Sequence, residues 1–159
     1  MRIRLFTFGG ETMAISIVPM TAAHIRVLAE IEQACFSTPW SEAALAEELS
    51  NQTAHFFVAE REDGTPVGYV GLQVVGDEGF FTNVAVHPDA RRQGVADALL
   101  KTLTAFGAAH KLYRLTLEVR VSNAAAVALY EKHGYVRDGI RPAFYRAPAE
   151  DAAVYSLYY

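Results

Sequence analysis

Between residues 80 and 103 the chain changes its hydrophobic period in a way that few architectures accommodate. An apolar run at residues 80–86 reads as a strand, His87-Pro88-Asp89 interrupts it, and Val95, Leu99, Leu100 and Leu103 then fall on one helical face. The junction is Arg91-Arg92-Gln93-Gly94-Val95-Ala96. A helix start leaves backbone N–H groups unpaired and carries a partial positive charge, which suits a bound phosphate. Gly94 and Ala96 are small where a ligand would approach the backbone, and Arg91 and Arg92 add positive charge. The same six residues also read as an ordinary strand-to-helix turn with two solvated arginines. They are not a G-x-G-x-x-G dinucleotide fingerprint, and no Gly-Lys-Ser/Thr follows as in a Walker loop.

The rest of the chain builds around this unit. A short strand at residues 15–18 leads to Thr21, a helix N-cap, and a helix to about Phe36 that buries Ile25, Leu28 and Ile31. Thr38-Pro39-Trp40 breaks it, and Ser41 caps a second helix carrying Leu45 and Leu49, with Glu42 in its first turn. Strands at 55–60 and 67–75 are joined by the turn Glu62-Asp63-Gly64-Thr65, and Gly76-Asp77-Glu78-Gly79 turns the chain into the strand at 80–86. A strand at 112–119, a helix at 123–132 ended by Gly134, and strands at 135–137 and 153–158 flanking a polar, aromatic loop complete the order. The expected fold is α/β, with a mixed, mostly antiparallel central sheet flanked by helices in the order β-α-α-β-β-β-α-β-α-β-β. No repeat and no linker divides the chain, so residues 13–159 read as one domain.

The 159 residues suit a single core, and an apolar fraction of 52% excludes a disordered chain. A net charge of −4 gives no reason to expect nucleic-acid binding. The single cysteine, Cys35, excludes an internal disulfide and fits a cytoplasmic location; following Ile25, Leu28 and Ile31, it reads as a small core residue rather than a nucleophile. His24, His55, His87, His110 and His133 show no metal-ligand spacing, so no metal is expected. Residues 1–12 end in Gly9-Gly10 without a signal-peptide pattern and read as a disordered leader or a start-site extension. No segment has the length of a membrane span.

The second chemically loaded stretch runs from Leu117 to Tyr130. Glu118 lies near the end of an apolar strand: it is either a strand-edge carboxylate paired with an arginine or a proton acceptor. Asn123 caps the following helix. Tyr130 is either a core aromatic or a general acid. Trp40, Arg141 and Tyr145 are candidate walls of a substrate groove, Trp40 serving equally well as a packing anchor.

The run from Asn83 to Ala96 resembles the coenzyme-A signature of the GNAT acetyltransferase superfamily, whose Gln/Arg-x-x-Gly-x-Gly/Ala pattern is met by Arg91, Gly94 and Ala96. Leu117-Glu118-Val119-Arg120-Val121-Ser122-Asn123 and the following Ala-rich helix to Leu129-Tyr130 resemble the L-E-V-R-x-S-N-x-x-A-x-x-L-Y signature of the ribosomal-protein-alanine (RimI) type. Cys35-Phe36-Ser37-Thr38-Pro39-Trp40-Ser41 and Arg141-Pro142-Ala143-Phe144-Tyr145 extend the likeness over nearly the whole chain. The resemblance implies acetyl-CoA as the acetyl donor, with Arg91, Arg92, Gln93, Gly94, Val95, Ala96 and Asp97 around its pyrophosphate. It also implies pairing of its pantetheine arm with Val84, Ala85 and Val86, and contact with Asn123. Glu118 would be the base, Tyr130 the acid, and an N-terminal alanine of a small-subunit ribosomal protein the acceptor. Asp97 departs from a phosphate cradle, and its carboxylate is expected to point away from it. A small-molecule amine acetyltransferase would need an acidic pocket that the sequence lacks. A silent CoA-binding module would not need both Glu118 and Tyr130.

Overall fold

The computed structural model describes residues 2–6 and 12–159. Strands β1 (Arg2–Phe6) and β2 (Thr12–Pro19) pair antiparallel, and helices α1 (Ile25–Cys35) and α2 (Glu42–Glu47) follow. Then come β3 (Ala54–Arg61), β4 (Pro66–Val75), β5 (Glu78–Val86), α3 (Val95–Ala109), β6 (Arg114–Arg120), α4 (Ala124–Lys132), β7 (Val136–Arg146) and β8 (Ala149–Tyr158). All eight strands form one sheet in the order β1-β2-β3-β4-β5-β6-β8-β7. Every neighbouring pair is antiparallel except β5 and β6, which the α3 crossover makes parallel. The expected α/β fold with a mixed, mostly antiparallel sheet is the one observed.

Each helix is placed by the face it buries. Leu28 and Ile31 of α1 and Leu45 of α2 pack on Phe56, Val58 and Tyr69 on one side of the sheet. Leu99, Leu100 and Leu103 of α3 and Tyr130 of α4 cover Leu115, Leu117 and Val119 on the other. At the start of the first helical segment, a single 3-10 turn at Ala22–His24 precedes α1. His24 Nδ1 accepts the Thr21 N–H at 3.0 Å, so Nε2 carries the ring proton and donates to Glu60 on β3, also at 3.0 Å.

The parallel pair sets the shape of everything downstream. β5 and β6 are in register only at Glu78↔Arg114, Gly79↔Leu115 and Phe80↔Thr116. Beyond that point β5 stays paired with β4 as far as Gly68↔Val86, and β6 with β8 as far as Arg120↔Ala152, so the two strands part and the sheet forks. Gly79 sits at the apex: a Cβ there would lie 2.7 Å from Leu115 Cδ2, inside the packed core. The hairpin between β4 and β5 carries a register shift at Gly71/Leu72, leaving Thr82 as the extra residue.

Several expectations are corrected at element ends. β5 begins at Glu78 because the turn is only Gly76-Asp77. α2 stops at Glu47, so Leu49 lies beyond it. The stretch expected to be a polar, aromatic loop is a long hairpin of β7 and β8. It hides from pattern reading because β7 is an edge strand, exposed along most of its length and bulged at Arg137/Gly139 and Arg141/Tyr145. Part of the 1–12 segment, expected as a disordered leader or start-site extension, is strand β1; residues 7–11 lie outside the described residues.

Closing the apex with a methyl group tests the fork. Gly79→Ala should lose about 1–3 kcal/mol by overpacking against Leu115, read as a lower urea midpoint with an unchanged m-value.

Candidate active site

At the end of β5 a cavity of about 420 Å³ is lined by Cys35, Phe36, Val84, Ala85, Val86, Arg91, Asn123 and Ala125. His87 N–H bonds Val67 C=O at 2.8 Å, which makes Gly68 and Val86 a pair that exchanges no bonds of its own. By alternation, Val84 and Val86 then turn their own N–H and C=O groups to the open edge. The open edge can take an extended ligand as an added strand. One of its acceptors, the Val86 carbonyl, is already covered by Arg91 Nε at 3.2 Å and by the Cys35 thiol at 3.4 Å.

The loop into α3 is shaped for close approach. Arg92 and Gly94 both adopt left-handed backbone, with φ of 58° and 85°. Gly94 takes this conformation without strain and caps α3, whose first internal bond runs from Ala98 N–H to Gly94 C=O at 3.0 Å. The N–H groups of Val95, Ala96 and Asp97 therefore precede the helix ladder, as a phosphate site requires. Gln93 donates to Asp89 C=O at 3.3 Å and so closes the loop on itself. Of the two arginines, Arg91 folds back onto the end of β5 and reaches the Cys35 sulfur at 3.3 Å.

Asp97 is held outward, as its place in the loop demanded. Its carboxylate meets Lys101 at 3.0 Å, Lys132 at 3.3 Å and His133 at 2.8 Å, tying α3 to the end of α4. Burial alone would raise its pKa; the hydrogen bonds from Lys101, His133 and Lys132 outweigh this and bring it down to about 2.

Across the fork, Glu118 projects from β6 on the face opposite Leu117 and Val119 and is paired with Arg141 Nη1 at 3.4 Å. The carboxylate thus has the arginine partner that a strand-edge pair would have. Tyr145 lies with it: Arg120 sits 4.2 Å over the Tyr145 ring, and Glu118 and Glu150 both bear on the Tyr145 phenol, whose pKa is raised first by burial. Tyr130 is buried beside Phe81 and Tyr135. Burial first, and the nearby Tyr145 second, push its phenol well above its ordinary value. Glu118, Tyr130, Arg141 and Tyr145 therefore form one neighbourhood. Asn123 caps α4 by accepting Ala126 N–H at 3.2 Å and lines the cavity as well. Trp40 is apart from them, partly buried against Phe56 at 6.3 Å between ring centroids.

Sequence reasoning missed two groups. Cys35 and Phe36 line the cavity although Cys35 read as core; their place just before the helix break was the available signal. The other is the clamp at the β7–β8 turn. Arg120 donates to Pro148 C=O at 2.9 Å and Ala147 C=O at 3.1 Å, Ser37 Oγ donates to Ala147 C=O at 2.7 Å, and Glu150 accepts Ser122 N–H at 2.7 Å. No spacing links these residues in sequence. Among the described residues no group of three or more metal-ligating side chains converges, and no helix is long and apolar enough to cross a membrane.

A forked sheet with an open strand edge and an anion-ready helix start is the architecture of an acyltransferase that takes its donor between two strands. The chain belongs to the acetyltransferase (GNAT) family, whose model matches residues 25–135. It is 38% identical over 129 residues to the [ribosomal protein bS18]-alanine N-acetyltransferase of Escherichia coli K12, spanning 80% of this chain and 86% of that one. It is 34% identical over 148 residues to the N-alpha-acetyltransferase RimI of Mycobacterium tuberculosis, spanning 89% and 91%. The crystal structure of the Escherichia coli ribosomal-protein-S18-alanine N-acetyltransferase superposes with a TM-score of 0.83 at 34% identity, covering 91% of this chain and 93% of that one.

The Asp97 clamp makes a pH prediction. A carboxyl held below its ordinary 3.8 stabilises the fold above that value, and the contribution disappears as pH falls toward about 2. Asp97→Asn should therefore melt below the wild type at pH 7 by an amount worth about 1 kcal/mol. The two melting curves should converge as the pH approaches 2.

Proposed function

We propose that the chain transfers acetyl from acetyl-CoA to the N-terminal α-amine of a cytoplasmic protein, an N-terminal alanine of a small-subunit ribosomal protein being the acceptor its relatives' names suggest. The observation that carries this reading is the joining of the two signatures at one fork. Val84, Ala85, Val86 and Arg91 line one cavity with Asn123 of the second signature, and Glu118 with Arg141 and Tyr145 lies on the strands across the fork from β5.

The chemistry is direct transfer in a ternary complex. The N–H groups of Val84 and Val86 face the cleft, pair with the pantetheine arm and can hold a carbonyl oxygen as it gains charge. Residues 92–97 hold the pyrophosphate on the backbone amides of the loop and helix start. Arg91, anchored to β5, adds charge beside them, and Asn123 approaches from α4.

Glu118 accepts the proton of the attacking amine, directly or through water, once the ammonium has displaced Arg141 from the carboxylate. Tyr130 stays protonated throughout the neutral range because burial penalises its phenolate. It is therefore available as a hydrogen-bond donor to the departing sulfur, and it passes on its proton only as charge develops on the thiolate.

The acceptor side favours a chain terminus. An α-amine with a pKa of about 7.7–8.0 is about 20–30% neutral near pH 7.4, whereas a lysine amine at about 10.4 is about 0.1% neutral. A single carboxylate suffices for the first, while the second asks about 3 kcal/mol more. The Ser37 contact to Ala147 joins the α1–α2 segment to the β7–β8 turn. A polyamine would need clustered free acid, but Glu118 is paired with Arg141 and Glu150 with Arg120.

Thiol release should be measured with acetyl-CoA and three acceptors: a short peptide with a free N-terminal alanine, its N-blocked lysine-containing counterpart, and spermidine. Turnover is expected for the free N-terminus alone, falling about 10²–10⁴-fold in Glu118→Gln and measurably in Tyr130→Phe. Turnover of spermidine or of the blocked peptide would overturn the acceptor assignment.

A further inference from the structure

The most costly residue in the molecule has no part in the transfer just described. Glu32 of α1 is only 1% exposed, on the helix face that otherwise presents Leu28 and Ile31 to the sheet. Removing a carboxylate from water is expensive, and an apolar residue of similar size would fill the site without that cost.

What Glu32 gains is a set of donors from separate elements. Oε1 accepts from the Tyr69 hydroxyl on β4 and from Asn83 Nδ2 on β5 at 3.1 Å. Oε2 accepts from the backbone N–H of Trp40, in the segment between α1 and α2, at 3.2 Å.

The network exacts a second cost. Asn83 is 8% exposed, and because Glu32 takes its amide N–H, its Oδ1 is buried without a partner. Asn83 lies between the extra residue at Thr82 and the cleft-facing Val84. One carboxylate thus binds β5 to the α1–α2 segment, whose Ser37 donates to Ala147 C=O in the β7–β8 turn.

We propose that Glu32 is a positioning residue for acetyl transfer: its buried carboxylate fixes the distance between Trp40 and β5, and with it the spacing of acceptor and donor. This rests on the reading of the cleft and groove given above. A shift of an ångström between reactants costs about 10²-fold in rate, so a rigid spacer across the two sites is worth the burial of a charge.

Trp40 is the only tryptophan in the sequence, so its fluorescence reports the position of that segment directly. Glu32→Leu should fold but melt below the wild type, because Tyr69, Asn83 and the Trp40 N–H lose their shared acceptor. In this variant Trp40 should become more open to acrylamide quenching, and KM for the N-terminal peptide should rise about 10-fold or more. The Kd for acetyl-CoA should stay within about twofold, since Arg91 and the Gly94 loop lie outside the network. Glu32→Gln, which keeps one acceptor oxygen, should fall between. Wild-type quenching and wild-type KM in Glu32→Leu, or equal losses for peptide and acetyl-CoA, would overturn the inference.

If Glu32→Leu does not fold, Tyr69→Phe removes one donor while keeping the ring. It should show the same split in smaller measure, and no change in quenching or KM would count against the proposal. A wild-type enzyme inert toward free N-termini would defeat the acceptor assignment instead, and Trp40 quenching in the variants would still judge the positioning role.

Discussion

The site depends on a single place where two parallel strands cease to touch. β5 and β6 hold each other over only a few residues around Gly79 and Leu115, then each follows its antiparallel partner away. Unpaired backbone groups inside a protein are normally a liability. Here they are concentrated on one edge of β5, opposite a carboxylate on β6, and they become a template for an extended ligand. The helix that must cross between these strands begins at the mouth of the same gap, so its unpaired N–H groups point to the same ligand. In the proposed transfer, donor pairing, phosphate binding and the base all follow from this one divergence.

Around this gap, polar side chains hold elements together where apolar packing cannot reach. Asp97 fastens α3 to α4, Arg120 and Glu150 fix the β7–β8 turn, and Glu32 ties α1 to two strands and to Trp40. The first two are partly solvated and contribute modestly to stability. The third is sealed from water. Its value lies in defining one arrangement of groups that apolar contacts alone would leave free to slide.

Much of this was legible in the sequence. The order of elements followed from apolar periods and turn residues, while the residues of the Gly94 loop fitted an ordinary strand-to-helix turn as well as a phosphate site, and the family resemblance favoured the second. Glu118 and Asn123 stood at positions whose neighbours made them conspicuous, a carboxylate between Leu117 and Val119 and a cap before an alanine-rich helix, whereas Tyr130 read as a core aromatic until the family resemblance singled it out. What escaped was whatever depends on three dimensions. β7 shows no alternation because neither of its faces is well buried, so nothing in its residues separates strand from loop. The contacts of Arg120 with the β7–β8 turn join residues far apart in the chain. Glu32 was visible in principle, since it falls four residues after Leu28 on an apolar face, but its donors came from strands whose register no local pattern encodes.

The sheet order carries a further consequence for how the molecule is made. β8 lies between β6 and β7, and β7 pairs with no strand but β8. During synthesis β7 emerges first, with its hydrogen-bonding edge unanswered, while β1 to β6 and the helices can already close around the donor side. Only when β8 follows can it slide in beside β6 and bring β7 with it, carrying Arg141 and Tyr145 to Glu118. A growing chain would thus assemble β1 to β6 ahead of the β7–β8 hairpin, and the last strand inserted would bring Arg141 to Glu118.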